Sequence, residues 1–143
     1  LDDTLSLHDA LPISRAHDVQ LISLVPPNAD ANKIRRISQH SEGYIYLMSR
    51  SGVTGTDRAA GMPTHHVVEL MKDAGAPPAL LGFGISKPEH VAEAMAHGVD
   101  GVIVGSAYVR IINENLNDDL GLKSKLAFFT QQMKEATCGR LLA

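Results

Sequence analysis

The sequence lacks three features that would each indicate a particular class of protein. Its 13 basic residues are outnumbered by 16 acidic ones, for a net charge of −3, which argues against the basic stripe of a nucleic-acid surface. No apolar run approaches the roughly 18 residues that a membrane span needs. The single cysteine, Cys138, cannot form an internal disulfide. We therefore expect a cytoplasmic protein that binds neither nucleic acid nor membrane.

The N-terminal segment shows no sequence pattern that is typical of a helix or a strand. Residues 1–14, LDDTLSLHDALPIS, show no clear periodicity, and the chain has no initiator Met. The segment is also too charged for a signal peptide, and it is similar to translated sequencing adapter. We expect residues 1–14 to be a non-native leader, and the native sequence to start near Arg15 inside a longer gene. Residues 138–143 are expected to form a C-terminal tail.

From Asp18 onward, a short apolar strand followed by a helix repeats four times. Strands so rich in Val, Ile and Leu are typical of a parallel sheet that is buried on both faces. The predicted strands cover residues 19–25, 44–49, 79–85 and 101–105. The predicted helices run through Ile34 and Ile37, over 64–74, from Ser86 to Gly98, over 106–113 and over 120–136.

The helix after the third strand carries the clearest end signals. Ser86 and Glu89 match the S-x-x-E capping box, and Pro88 suits a first helical turn. Gly98 is expected to end this helix in the left-handed conformation.

Two architectures fit this order of elements, an open doubly wound sheet and half of an eight-stranded barrel. A doubly wound nucleotide domain places a G-x-G-x-x-G turn after its first strand. Here Pro26 and Pro27 follow the first strand, and the glycine turns follow strands two to four. Four units in residues 15–137 are half of the roughly 250 residues of a (β/α)8 barrel. The α/β fold is therefore predicted to be half of such a TIM barrel.

The glycines that follow the last two strands indicate an anion site. Ligands bind beyond the C-terminal strand ends in both architectures. The third strand ends in Phe83 and Gly84, and the fourth in Gly105 and Ser106, which open a short helix. A glycine leaves its backbone N–H uncovered, and a helix start adds further N–H donors. The two turns together predict a phosphate site, although each could also be merely a tight turn.

No Asp, Glu, His or Lys lies directly at a predicted strand end. General acid–base catalysis needs such a group beside the reacting atom, so we expect no catalytic residue in this chain, and no metal-ligand spacing is present. Residues 50–63 form a long loop, predicted to be a lid, from which Arg50 and Arg58 could reach an anionic ligand.

Several motifs resemble the tryptophan synthase alpha subunit family. These are PPNAD, GYIYLMSRSGVTG, GFGIS-P and GVIVGSAYV, which occur in this order between residues 17 and 136. The resemblance implies strands 5–8 of a (β/α)8 barrel, with a short extra helix before the last one. It also implies a lyase of tryptophan biosynthesis that cleaves indole-3-glycerol phosphate by a retro-aldol reaction to indole and glyceraldehyde 3-phosphate. The alpha chain needs no cofactor, since pyridoxal phosphate belongs to the beta subunit of an alpha2-beta2 complex.

The resemblance also assigns roles to residues of this chain. Backbone N–H groups hold the substrate phosphate at Gly55, Gly84, Gly105 and Ser106. Tyr46 and Phe83 line the substrate pocket, and Arg50 and Thr54 lie in the loop that closes over it. The catalytic Glu and Asp of the family belong to the N-terminal half of the barrel, and no position here corresponds to either. The fragment alone is therefore expected to be inactive.

Two alternative functions stay open. The chain could belong to another phosphate-binding barrel enzyme, such as a sugar-phosphate isomerase or a cyclase of histidine biosynthesis, although those more often carry an Asp or Lys at a strand end. It could also be a non-catalytic phosphate-binding half-barrel that pairs with a second copy, because a half-barrel exposes two strand edges.

Overall fold

A parallel sheet with helices connecting its strands forms the centre of the chain. The computed structural model describes residues 7–48 and 65–139. Its strands are β1 (Ser23–Val25), β2 (Ile45–Met48), β3 (Ala79–Gly82) and β4 (Gly101–Val102). Its helices are α1 (Leu7–Ala16), α2 (Ala31–His40), α3 (His65–Asp73), α4 (Pro88–Ala96), α5 (Ser106–Asn113) and α6 (Asp119–Ala136).

The order of the strands separates the two architectures that the sequence left open. The sheet runs β1-β2-β3-β4, and each strand is parallel to the next. Leu24 pairs with Tyr46, and Tyr46 pairs with Leu80. A doubly wound sheet reverses its strand order at a switch point, whereas a barrel segment adds strands in sequence. The observed order is that of four consecutive barrel strands, and the prediction of a parallel sheet is confirmed.

The core lies between one face of the sheet and the connecting helices. Alternate strand residues point to this face, as the period of two in a strand requires. Side chains with no solvent exposure at all are Val25, Ile45, Leu47 and Leu81 from the strands, Val91 and Ala94 from α4, and Ala136 from α6. Full burial of such a side chain is worth about 1.5–3 kcal/mol. On the opposite face Leu24 is 53% exposed, since the chain places no second layer there within its described residues.

Two helix ends match the sequence-based expectations, and a third carries a cap that was not predicted. Asp30 caps α2 by accepting a hydrogen bond from the Lys33 N–H at 2.8 Å. Gly98 follows α4 with a φ of +87°, which confirms the predicted left-handed residue. The bounds of α5 match the prediction at both ends.

The short helix α5 is attached to the long helix α6 by one aromatic residue. The ring of Tyr108 meets the ring of Phe129 edge-on, with centroids 5.0 Å apart. Its hydroxyl lies 2.8 Å from Thr130 Oγ1.

No helix within residues 7–48 and 65–139 is both long and apolar enough to cross a membrane.

The strands are shorter than predicted. The first covers only Ser23–Val25 instead of residues 19–25, because Ser23 already pairs with Ile45, the first residue of β2. Just before β2, Gly43 turns the chain with a φ of +69°, and the Glu42 N–H donates to the Leu21 carbonyl at 3.0 Å. The fourth strand ends at Val102, although the Ile103 N–H still donates to the Leu81 carbonyl at 2.8 Å.

A helix also forms where the sequence predicted no element. Residues Leu7–Ala16 form α1, and Arg15 in its last turn suits the negative end of the helix dipole. Arg15 Nε donates to Glu42 Oε1 at 3.1 Å, which ties this helix to the turn before β2. The assignment of residues 1–14 to a non-native leader stays a prediction.

Candidate functional site

A cavity of about 170 Å³ opens beyond the C-terminal ends of β2, β3 and β4. It is lined by Tyr46, Phe83, Gly84, Ile85, Ile103, Gly105 and Ser106. Five of these seven residues were predicted as site residues from the sequence, and the fold brings them to one place. The other three predicted residues, Arg50, Thr54 and Gly55, lie outside the described residues.

The turn after β3 has an unusual backbone. Phe83 and Gly84 both lie in the left-handed region, with φ values of +68° and +78°. Glycine adopts this conformation freely, but a bulky residue such as Phe there costs about 1–3 kcal/mol. The next residue, Ile85, is 2% exposed and anchors the turn in the core. Strain of this kind persists where the surrounding structure holds it, and it clusters at ligand sites.

The glycine after β4, Gly105, differs from Gly84 in its backbone conformation. Gly105 has a φ of −124°, so it is not needed for a left-handed turn. A Cβ added there would meet no atom of the described residues within 4 Å. Packing against the described residues therefore does not explain a glycine at this position. Its missing side chain instead leaves open the approach to the start of α5.

Backbone donors converge on the cavity from these two turns. Within the described ranges, the N–H groups of Gly84, Gly105 and Ser106 donate to no protein acceptor. Ser106 is exposed and begins α5, so the positive end of that helix dipole faces the same opening. Uncovered N–H groups at a helix start form a site for an anion such as phosphate.

The other wall of the cavity is aromatic. The rings of Tyr46 and Phe83 meet edge-on, with centroids 5.7 Å apart and planes at 65°. Burial, together with the neighbouring Tyr44, raises the pKa of the Tyr46 hydroxyl above its usual value. Tyr46 therefore stays neutral at physiological pH. The cavity thus combines an apolar wall with a set of backbone donors.

The predicted capping box at α4 is wrong. The N-cap of α4 is Lys87, whose side chain makes no capping hydrogen bond. Two left-handed residues before Ser86 change the direction of the chain, so the helix starts one residue later than the S-x-x-E pattern implies.

One residue that contacts this turn, His90, was not predicted from the sequence. Its Nδ1 lies 3.1 Å from the carbonyl oxygen of Gly84 and 3.4 Å from the backbone nitrogen of Ser86. His90 is half-buried in the first turn of α4. A histidine four residues after the serine of the turn is the only signal that the sequence offers for this contact.

A larger cavity, of about 220 Å³, lies at the opposite edge of the sheet, near the start of β3. Its two charged residues already bond to the backbone. Lys72 Nζ donates to the Gly98 carbonyl and Asp100 accepts from the Ala79 N–H, each at 2.8 Å. Because ligands of parallel α/β folds bind at the other ends of the strands, we assign this cavity a structural role.

Metal ligands do not cluster in the part of the chain that the structure describes. No group of three His, Cys, Asp or Glu residues there could hold an ion. The seven residues that line the 170 Å³ cavity include no carboxylate, histidine or lysine. Their chemistry is that of binding through backbone donors and aromatic contact.

Comparison with known proteins decides the family. The model of the family described as tryptophan synthase alpha chain matches residues 6–138. The chain belongs to the tryptophan synthase alpha chain family. It is 44% identical over 124 residues to the tryptophan synthase alpha chain of Shewanella oneidensis, covering 87% of this chain and 45% of that one. It is 46% identical over 121 residues to that of Serratia proteamaculans, with 85% and 45% covered.

Solved structures of this family have the same fold. A structure of the Pyrococcus furiosus tryptophan synthase alpha subunit superposes with a TM-score of 0.71 at 26% identity, covering 90% of this chain and 50% of that one. A mutant of the same subunit gives a TM-score of 0.72 at 25% identity, with 94% and 53% covered. The fold is that of part of a (β/α)8 barrel, as predicted. The chain spans about half the length of the relatives that it matches.

Proposed function

We propose that this chain supplies the phosphate-binding half of a barrel lyase of tryptophan biosynthesis. The whole enzyme would cleave indole-3-glycerol phosphate by a retro-aldol reaction to indole and glyceraldehyde 3-phosphate. The proposal is supported by the backbone N–H groups of Gly84, Gly105 and Ser106, which donate to no acceptor among the described residues. These residues line the cavity beside the aromatic pair Tyr46 and Phe83. A substrate with a phosphate at one end and an indole ring at the other matches both walls of the cavity.

The proposed role of these residues is to bind and orient the substrate. N–H donors at Gly84 and at the start of α5 would hold the phosphate dianion, with Gly55 as a further donor. Neutral aromatic surface at Tyr46 and Phe83 would lie against the indole end of the substrate. Arg50 and Thr54 would belong to the loop that closes over it. Proton transfer would fall to a Glu and an Asp of the other half of the barrel, so no catalytic residue is proposed here.

The proposal includes the assembly of the whole enzyme. One chain of a solved tryptophan synthase complex from Pyrococcus furiosus has this fold, with a TM-score of 0.70 at 24% identity. We propose that the completed alpha chain joins a beta subunit in an alpha2-beta2 complex in the cytoplasm. Pyridoxal phosphate would belong to that beta subunit, and the alpha chain would need neither cofactor nor metal.

Complementation tests the proposed function. The chain is mixed with the N-terminal half of the Serratia proteamaculans relative, and indole release from indole-3-glycerol phosphate is measured. We expect no release from the chain alone and measurable release from the mixture. Indole release by the chain alone would contradict the assignment of the catalytic groups to the other half.

The same experiment separates the alternatives. A mixture that releases no indole, from a chain that forms a stable homodimer and binds phosphate, would favour the non-catalytic half-barrel module. Sedimentation of the chain by itself measures whether it is a monomer or a homodimer. Turnover of a different sugar phosphate would favour another phosphate-binding barrel enzyme.

A further inference from the structure

We propose that His90 is a positioning residue, which holds the Phe83-Gly84 turn in the shape that binds phosphate. This inference rests on the proposed function, because it concerns the same phosphate site. His90 does not line the cavity and would act through the backbone of Gly84.

The turn needs an external support. Two consecutive left-handed residues, one of them a phenylalanine, are strained, and Gly84 has no Cβ to restrict its backbone. A side-chain cap on α4 would have been one support, but α4 has none. The ring of His90 supplies a different support, because its Nδ1 lies within reach of both Gly84 and Ser86.

The contact with His90 orients the peptide that joins Gly84 to Ile85. The peptide between Gly84 and Ile85 is flat and trans, so its C=O and N–H point in opposite directions. With the Gly84 oxygen turned toward His90, the Ile85 N–H points away from α4. The contact between His90 and the Gly84 carbonyl also restrains the ψ angle of Gly84. It therefore stabilises the Phe83-Gly84 turn, which carries the Gly84 N–H.

The two distances favour one tautomer of His90. Nδ1 can donate to the Gly84 carbonyl at 3.1 Å, or it can accept from the Ser86 N–H at 3.4 Å, but it cannot do both. The shorter distance favours donation, so we expect the proton of the neutral ring on Nδ1. This places the unprotonated nitrogen, Nε2, away from the turn.

Three variants of the full 143-residue chain test the proposal, with inorganic phosphate as the probe. Asparagine places a polar atom at the same bond separation as Nδ1, whereas glutamine places it one bond further. We expect His90→Ala and His90→Gln to lower phosphate affinity by about threefold to tenfold, the effect of one lost hydrogen bond. His90→Asn should keep most of the affinity. His97→Ala, at the other end of α4, is the control and should bind as the parent chain does.

Nuclear magnetic resonance measures both the phosphate affinity and the tautomer of His90. Titration with phosphate, against chloride at equal ionic strength, gives the affinity from the amide signals of Gly84, Gly105 and Ser106. Long-range proton–nitrogen spectra give the tautomer of His90, which a role limited to stability would not fix. Urea unfolding of each variant separates lost affinity from lost fold, and if His90→Ala fails to fold, the comparison of His90→Asn with His90→Gln decides.

The outcomes are distinct. Unchanged phosphate affinity in a folded His90→Ala variant would overturn the proposal, and so would equal losses in His90→Asn and His90→Gln. A parent chain that binds no phosphate, but carries the Nδ1 proton on His90, would overturn the proposed function and leave the support of the turn in place.

Discussion

The ring of Tyr46 lies over Gly82, at the place where a side chain would stand on the neighbouring strand. A Cβ built on Gly82 would overlap the hydroxyl end of the Tyr46 ring. Gly82 is two residues beyond Leu80, the partner of Tyr46 in the sheet, so the ring reaches diagonally across to β3. The missing side chain of Gly82 therefore gives Tyr46 its position beside Phe83 and the cavity.

Gly82→Ala should displace the Tyr46 ring and destabilise the chain. Forcing an extra methyl group into a filled site costs about 1–3 kcal/mol. Urea unfolding measures this cost. The cost should be smaller in a Tyr46→Ala background, where the ring that the methyl group would meet is gone. Equal costs in the two backgrounds would show that the close contact between these residues does not decide the effect.

Gly84 and Gly105 should respond to substitution in opposite ways. Gly84→Ala places a side chain at a φ of +78°, so it should destabilise the chain by about 1–2 kcal/mol. A Cβ at Gly105 meets no atom of residues 7–48 and 65–139 within 4 Å, so Gly105→Leu should change the free energy of unfolding little. The leucine would cover the start of α5, and phosphate affinity should fall by at least about tenfold, the equivalent of 1.4 kcal/mol. Urea unfolding and phosphate titration measure the two effects.

Gly75→Ala is the matched control for the strain at Gly84. Gly75 has a φ of +70°, and a Cβ there would meet no described atom within 4 Å. It also lies outside the residues that line the cavity. This variant should lose stability and keep phosphate affinity.

In the complemented enzyme, Gly105→Leu should raise the Michaelis constant more than it lowers turnover. Unchanged substrate affinity in that variant would count against the phosphate site.

The sequence predicts the parallel sheet, helices α2 to α6 and the grouping of Gly84, Gly105 and Ser106, because each depends on local patterns. Apolar runs mark strands, and residues that follow parallel strands meet at one edge of the sheet. Strand lengths were overestimated, because pairing at Ser23 depends on where β2 begins. The contact of His90 could not be predicted, since it depends on a left-handed Phe83, which no residue pattern signals.

Tyr108→Phe should loosen the attachment of α5 to α6 without removing the ring contact. Thr130 Oγ1 donates to the Leu126 carbonyl at 2.7 Å, so the Tyr108 hydroxyl is the donor toward Thr130. Loss of this one hydrogen bond should cost about 0.5–1.5 kcal/mol in urea unfolding. Tyr108→Ala should cost more, because the edge-on contact with Phe129 is lost as well. Equal costs for both variants would assign the whole effect to the hydroxyl.

The raised pKa of Tyr46 predicts a loss of stability in alkaline solution. Burial disfavours the tyrosinate, so the folded chain holds this proton to a higher pH than the unfolded chain, whose tyrosine has a pKa near 10.0. Below the unfolded pKa both states are protonated, and the contribution of Tyr46 to stability is complete. As pH rises through 10.0 toward the folded pKa, the unfolded state loses its proton first, and the free energy of unfolding falls.

Urea unfolding at about pH 9 and about pH 11 measures this loss, with Tyr46→Phe as the matched variant. Phenylalanine keeps the ring that lies over Gly82 and removes the titrating group, so the variant should lose less stability between the two pH values than the parent chain does. Tyr108→Phe is the control, because it removes a tyrosine hydroxyl away from the cavity, and it should keep the alkaline loss. A Tyr46→Phe variant with the same alkaline loss as the parent would show that another group causes it.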